Sequence, residues 1–369
     1  MSDQINSTAI EDKHFMASQW QLMWRKFTHH KLAMIAGVIL SLFYILALFC
    51  EFFAAHDILE HNAKYVYSPP QKIRFKDNTG FGLRPFIYQM EKIIDKEAFT
   101  VNYVENPEIK NYIKFFIKGD PYKLWGIWES DIHFFGTEDG NFYLFGTDKL
   151  GRDLYSRTIY ASRISLSIGL VGVFLSFLLG CTLGGISGYY GGTWDMVIQR
   201  AIEILISLPT IPLWMALSAA LPTDWSLLKI YFAITIILSM FGWAGLARVV
   251  RGKLLELREQ DFVTAARISG TGEGKIIVAH LLPSFLSYLI VSLTLAVPYM
   301  ILGETALSFL GLGLRAPVVS WGVLLKEAQS VHAVLMHPWL LIPGVFVVVA
   351  VLSFNFLGDG LRDAADPYK

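Results

Sequence analysis

The stretch DFVTAARISGTGEGK at 261–275 carries residue types that hold phosphate: several glycines, closed by Gly274 and Lys275. A phosphate-cradling loop needs Gly, four residues, then Gly-Lys-Ser/Thr, so that backbone N–H groups wrap the phosphates and the hydroxyl reaches magnesium. Here Ser269 stands where the first Gly is required, Ile276 follows Lys275, and no strand-like run precedes the segment. A second pattern, GLGLRA at 311–316, fits the Gly-x-Gly-x-x-Ala dinucleotide fingerprint but follows a long apolar run instead of a βαβ strand. Neither loop is expected to bind nucleotide. Cys50 and Cys181 lie in different apolar segments, and no Cys/His spacing suits a metal; His332 and His337 alone do not make a site. Channel-type filter sequences and HExxH-type catalytic pairs are also missing from the sequence, which disfavours a self-contained channel or a membrane-embedded enzyme.

As local structure, 261–275 makes more sense. Asp261 is suited to cap a helix from Phe262 to Ser269, and Gly270 to end it in the left-handed C′ position. Phe262, Ala265, Ala266 and Ser269 then fall at i, i+3, i+4 and i+7 on one face. Small side chains beside one aromatic anchor suit docking into another protein's groove. An interfacial helix lying on anionic lipid is the alternative.

The elements that must position this helix follow from composition. The 369 residues are 54% hydrophobic and 17% charged, against roughly 45–50% and about 25% for soluble domains. That composition indicates an integral membrane protein, and a formal net charge of zero argues against a nucleic-acid partner. Crossing the hydrocarbon core takes about 20 apolar residues. Six runs qualify: 32–54, 164–189, 196–221, 226–248, 284–306 and 338–359. The stretch 248–283 is rich in Lys and Arg whereas 307–337 carries only Arg315 and Lys326, so 248–283 and both termini are expected to be cytoplasmic. Residues 1–54 are read as the N-terminus and first span, 55–145 as an extracytoplasmic insert with some β-structure, and 146–369 as a core with five spans. Within the third span, Arg200 and Glu203 are one turn apart and call for a mutual ion pair or a bundle-facing position, while Pro209 and Pro212 should kink the helix. The run GCTLGGISG at 180–188 suits close helix packing.

The segment DFVTAARISGTGEGKIIVAHLLPS resembles the EAA loop of ABC-importer permeases. FGTDKLGRDLYSRTIYASRISLSIGL (145–170), GGTWDMVIQRAIEILISLP (191–209), ILGETALSFLGLGLRAPVVSWG (301–322) and FNFLGDGLRDAADPYK (354–369) resemble the dipeptide/oligopeptide/nickel permease family, in its second, C-type subunit. The likeness covers 145–369 closely and 1–54 loosely; the insert is outside the usual pattern. It implies an all-α, six-span, type I ABC-importer permease fold in a bacterial inner membrane. It also implies a second homologous permease, two ATPase subunits that carry ATP and Mg, and an extracytoplasmic solute-binding protein as partners. No cofactor is then expected on this chain, which would not itself be an enzyme. Short peptides are the expected solute, with oligosaccharides or glycosides as the alternative and nickel less favoured.

On that resemblance Asp261, Phe262, Ala265, Ala266, Arg267 and Gly270 are expected to contact the ATPase, with His280 and Pro283 shaping the loop's return to the membrane. Asp148, Gly151, Arg152 and Asp153 are expected to form an Asp-Arg turn at the outer mouth, acting as a gate collar. Glu304 is a candidate for the solute entrance or for an outer-interface carboxylate packed against Arg or backbone N–H groups, and Pro209 for the pathway.

Overall fold

The computed structural model describes residues 19–77, 80–95, 100–139, 141–222 and 224–365. The polar segment 1–18 and the last four residues, both expected on the cytoplasmic side, lie outside the described residues. Among those described, five helices are long and apolar enough to cross a membrane, and one bent pair brings the number to six.

The chain enters through α1 (Gln19–His29) and α2 (Lys31–Leu48). His30 caps α2, its Nδ1 accepting the Ala33 N–H at 3.1 Å. Ala33, Ala36, Leu40 and Ala47 turn inward, while Leu32, Ile35, Val38, Leu42, Ile45 and Leu48 remain exposed, the one-sided pattern of a span with a lipid-facing stripe. A short helix α3 (Cys50–Phe53) follows and leads into the sheet insert. Strands β1 (Arg74–Asp77), β2 (Gly80–Asp95), β3 (Thr100–Leu124) and β4 (Trp128–Thr137) form an antiparallel sheet in that order. Its register pairs Phe86 with Tyr112, Phe115 with Phe135 and Leu124 with Trp128. One face buries Ile87 and Ile113 against Phe142, and Gln71 ties down the connection that follows the sheet by accepting the Tyr143 N–H at 2.7 Å.

The core is built on α4 (Leu154–Tyr190) and α7 (Leu227–Leu257). These run parallel, since Gly172, Gly180 and Gly188 meet Ser239, Leu246 and Leu254 in that order. A Cβ on Gly184 would stand 2.6 Å from the Ala247 carbonyl oxygen, and one on Gly188 would stand 2.8 Å from that of Arg251. The small-residue run therefore packs helices, as expected from its composition. Hydroxyls reinforce the seam: Ser176 Oγ donates to the Ser239 carbonyl at 3.1 Å and Ser239 Oγ to that of Gly172 at 3.0 Å.

The third span departs from a single kinked helix. It is two helices, α5 (Gly192–Ser207) and α6 (Thr210–Ala219), meeting at 88°. Pro209 caps α6 at the break; lacking an N–H and restricting Leu208 to extended backbone, it ends α5 outright instead of bending it. Arg200 and Glu203 do pair, at 2.8 Å, but both are exposed on α5 and neither faces the bundle.

Helix α9 (Leu286–Phe309) carries Glu304, and the expectation that this carboxylate lines a solute entrance is not met. Glu304 is fully buried. Its oxygens accept the hydroxyls of Ser308 and Ser320 at 2.7 Å each and of Ser165 at 3.3 Å. Neither an Arg nor a backbone N–H is its partner there; three serines from α9, α4 and the cap of α10 (Trp321–Leu325) converge on it. Ser165 Oγ in turn accepts the Trp321 N–H at 3.1 Å, so the carboxylate joins three elements. The last helix, α11 (Ile342–Ala365), packs Gly358 on Leu295 and Gly360 on Ala33.

Two outcomes are expected in thermal unfolding of the detergent-purified chain. Gly184→Ala should destabilise by about 1–3 kcal/mol because the added methyl meets backbone that cannot yield. Glu304→Ala should cost about 1–3 kcal/mol by stranding buried hydroxyls, with Glu304→Gln milder because the amide oxygen still accepts.

Candidate functional site

The sequence directs attention to the two ends of the α4–α7 pair. At the C-terminal end, α8 (Asp261–Ile268) follows α7 after a short turn. Its N-cap is Gln260, not Asp261: the extended residue is Gln260, whose carbonyl accepts the N–H of Val263 and Thr264, and no side chain caps the helix. Asp261 is instead in the first turn, where its charge faces the positive end of the helix dipole. Gly270 ends the helix as expected, with φ +79°. The Gly270 N–H donates to Arg267 O and that of Thr271 to Ala266 O.

The expected face is split by burial. Val263 and Ala266 turn inward, into a cluster with Tyr189, Val250, Leu254, Ile276 and Leu281. Ala266 thus packs on its own chain and is not presented outward; Val263 was not singled out from the sequence, yet it fixes the helix's rotation. The outward surface holds Ala265 and Ile268, with Phe262 and Ser269 at its margin. Ile268 is 83% exposed and Phe262 43%, an apolar display on a braced support. Arg267 has a partner within the chain, since its guanidinium lies 5.2 Å from the Tyr189 ring centroid at the end of α4 and its Nε donates to the Tyr189 hydroxyl at 3.4 Å. His280 sits exposed in a π-turn (Ile277–Leu281) and Pro283 in the following turn, where the loop re-enters α9. Gly274 and Lys275 belong to a short helix, Glu273–Ile276, so no strand-to-loop phosphate cradle exists here.

At the N-terminal end of α4, the four expected collar residues do come together. Asp148 is buried; its Oδ1 accepts the N–H of Leu150 at 2.8 Å and of Arg152 at 3.0 Å, and its Oδ2 accepts Arg152 Nε at 2.7 Å. Gly151 has φ +72°, and a Cβ there would stand 2.0 Å from the Asn62 carbonyl oxygen, so only glycine fits. Asp153 caps α4, accepting Tyr155 N at 3.2 Å and Ser156 N at 2.9 Å. Burial pushes the Asp153 carboxyl above the usual carboxylate range.

Two members were missed. Arg157, one turn into α4, also donates to Asp148 Oδ2, and Glu327 accepts Arg152 Nη2 at 3.4 Å. Burial, and then Asp148, raise the Glu327 carboxyl from its ordinary value. Arg157 lies within the same sequence run and could have been found from its charge in an apolar helix. Glu327, about 180 residues away, leaves no local signal. The collar is thus an ion cluster whose charges pair chiefly with one another, while Arg157 Nε is buried without a hydrogen-bond partner among the described residues.

One group of potential metal ligands also appears among the described residues: His56, Glu60 and Asp120 place one ligand atom each within 4.8 Å of one another. Nothing in the chain's local pattern hints at it, because Asp120 lies on β3 and the other two precede the sheet. His56 Nε2 already engages the Phe142 carbonyl at 2.9 Å and Asp120 Oδ2 accepts the Asp57 N–H at 3.2 Å.

Comparison with known proteins fits this arrangement. Residues 180–368 match the family described as binding-protein-dependent transport system inner membrane component, and residues 18–70 match the N-terminal TM domain of oligopeptide transport permease C. The oligopeptide transport system permease protein OppC of Haemophilus influenzae is 44% identical over 227 residues, 61% of this chain and 70% of that protein. The dipeptide transport system permease protein DppC of Bacillus subtilis is 40% identical over 229 residues, 60% of this chain and 68% of that protein. DppC of Alkalihalophilus pseudofirmus is 42% identical over 225 residues, 60% of this chain and 71% of its own length. With the spans, the glycine seam and the braced loop helix in place, the chain belongs to the family of inner membrane components of binding-protein-dependent transport systems.

Proposed function

We propose that this inner-membrane permease is the C-type subunit of an ATP-driven importer of short peptides, and that α8 is the element through which a separate ATPase moves it. The observation that carries the reading is the exposed pair Phe262 and Ile268 on a helix whose other side is locked to α4 and α7. A helix anchored on one side and apolar on the other passes a push to the spans instead of absorbing it. In this reading a second homologous permease completes the pathway, two ATPase subunits bind ATP and Mg, and an extracytoplasmic protein delivers the solute. In this reading ATP hydrolysis belongs to the partner subunits and no cofactor is assigned to this chain; in support, 261–275 lacks the phosphate-binding signature and is helical where a cradle would be needed. The Lys/Arg excess of 248–283 supports a cytoplasmic side for that loop and, in this reading, for both termini. Peptides are favoured over sugars or nickel by the names of the relatives, oligopeptide and dipeptide permeases.

Ile268→Asp should leave insertion and thermal stability near those of the parent chain while lowering solute-stimulated ATP hydrolysis of the assembled complex more than about tenfold, the scale of losing one interface anchor of about 2 kcal/mol. Unchanged stimulation would remove α8 from the coupling path. Ala266→Glu should instead unfold the loop, since it buries a charge. Affinity purification from the native host through a C-terminal tag, followed by mass spectrometry, should recover an ATPase, a second permease and a binding protein carrying peptide. A sugar in that binding protein would overturn the solute assignment and keep the machinery.

A further inference from the structure

The sheet insert does not simply stand on the bundle: its β3–β4 hairpin runs back alongside the outer end of the first span. His133 Nδ1 lies 2.6 Å from the Ala54 carbonyl oxygen. Further along, the Phe134 ring is 5.3 Å from that of Phe53 and the Phe116 ring is 6.1 Å from that of Phe52. At the tip, the Trp125 ring lies tilted against that of Phe49 at 5.7 Å and its Nε1 donates to the Leu48 carbonyl at 2.7 Å. The hairpin therefore descends past six residues of chain, about 9 Å at helical rise, to reach the last residue of α2.

Leu48 marks the edge of the hydrocarbon layer. The 18 residues of α2 span about 27 Å, close to the thickness of that layer. Leu42, Ile45 and Leu48 form the exposed end of its lipid-facing stripe, and the hairpin tip continues that stripe at the same level. Ile127 is 70% exposed and Trp128 58%, with Trp125 exposed beside them. One step up the hairpin the side chains become charged and paired: Lys123 with Glu129 at 2.9 Å, and then Lys118 with Asp131 at 3.3 Å. Apolar and indole groups at the tip with ion pairs behind reproduce the polarity gradient of a bilayer surface, where Trp is the preferred residue. The turn itself is built for display. Trp125 has φ +53° and Gly126 φ +74°, and the first of these is a backbone state that bulky side chains avoid. It is held there by the indole bond to Leu48 and the contact with Phe49.

We propose that the hairpin tip Trp125–Trp128 is an interfacial anchor that inserts into the headgroup–acyl boundary of the phospholipid leaflet at the C-terminal end of α2. Its role is to fix the sheet's height and tilt against the membrane independently of the permease core.

The test is electron paramagnetic resonance on full-length chain in vesicles of phosphatidylethanolamine and phosphatidylglycerol, with a nitroxide at Ile127→Cys and, separately, at Trp128→Cys. Ile45→Cys on α2 and Glu108→Cys on the sheet far from the tip serve as lipid and water references. Cys50 and Cys181 are buried, and label taken up by the parent chain gives the background. Relaxation by oxygen, which concentrates in lipid, is compared with that by a water-soluble nickel chelate. The tip positions should show an oxygen-to-chelate ratio several-fold above that of Glu108→Cys and approaching that of Ile45→Cys. A ratio equal to that of Glu108→Cys would overturn the anchor by placing the tip in water. Shielding from both reagents would overturn it by showing that another protein covers the tip.

Discussion

The approach of α4 to α7 at Gly180, Gly184 and Gly188 is the constraint on which the rest of the structure depends. In a bilayer the lipid tails compete equally for apolar side chains, so helices associate where backbones can come close enough for dispersion and hydrogen bonds to accumulate. These glycines bring the Ala247 and Arg251 carbonyls within reach of α4, and Arg251 then closes the end of the seam by gripping Asp195 on α5 through two bonds of 2.5 and 2.6 Å. At 37 and 31 residues, α4 and α7 are about 55 and 46 Å long, against the roughly 40–45 Å of a whole bilayer. α4 projects beyond it, while the parallel α7 about matches it. One end of the pair carries the Asp148 collar; the other carries Tyr189 and the root of α8. Collar and coupling helix are thus the two ends of one rigid pair.

Polar groups inside this bundle follow the same logic. Several buried polar groups are shared between elements: Glu304 among three serines, Ser239 with Gly172, and Arg163 between Glu51 and the last carbonyls of α2 at 2.9 Å. Since an unpartnered polar group is costly in an apolar surround, these bonds select one mutual placement of the helices where apolar packing alone would tolerate several. The collar shows the same principle in ionic form, with Asp148 and Glu327 set against Arg152 and Arg157.

What could be read directly in the sequence was whatever depends on neighbours along the chain. The apolar runs located each span, although the helices run up to ten residues past the runs, as at Leu154 and Leu257; Gly270 announced the end of α8, and the GRD turn announced the collar. What depends on neighbours in space was misread. Helical spacing alone offers two stripes on α8, one through Phe262, Ala265, Ala266 and Ser269 and one through Val263 and Ala266. Only the position of Tyr189 and Val250 decides which turns inward. Glu304 looked like an entrance residue because Ser165 and Ser320, its partners, are 139 and 16 positions away. The elbow after Ser207 was foreseen as a kink since Pro209 is visible in sequence; the 88° angle is set by what α6 packs on, chiefly Trp214 beneath Gly303.

That elbow has a further implication for solvation. The final carbonyls of an α-helix lack partners within it, and among the described residues the end of α5 has one of them, Ile204 O, met by a nearby hydroxyl, that of Ser207 at 2.8 Å. Pro209 lessens the mismatch by contributing no N–H, yet Ile206, Leu208 and Ile211 around the break are exposed on this chain. Open backbone facing acyl tails is not tolerated, whereas open backbone facing water or another protein is. The bend therefore divides the surface of the bundle into a lipid side and a side that must be wetted or covered. A single copy, read this way, already indicates from its own peptide groups which flank belongs to an aqueous path or a companion subunit.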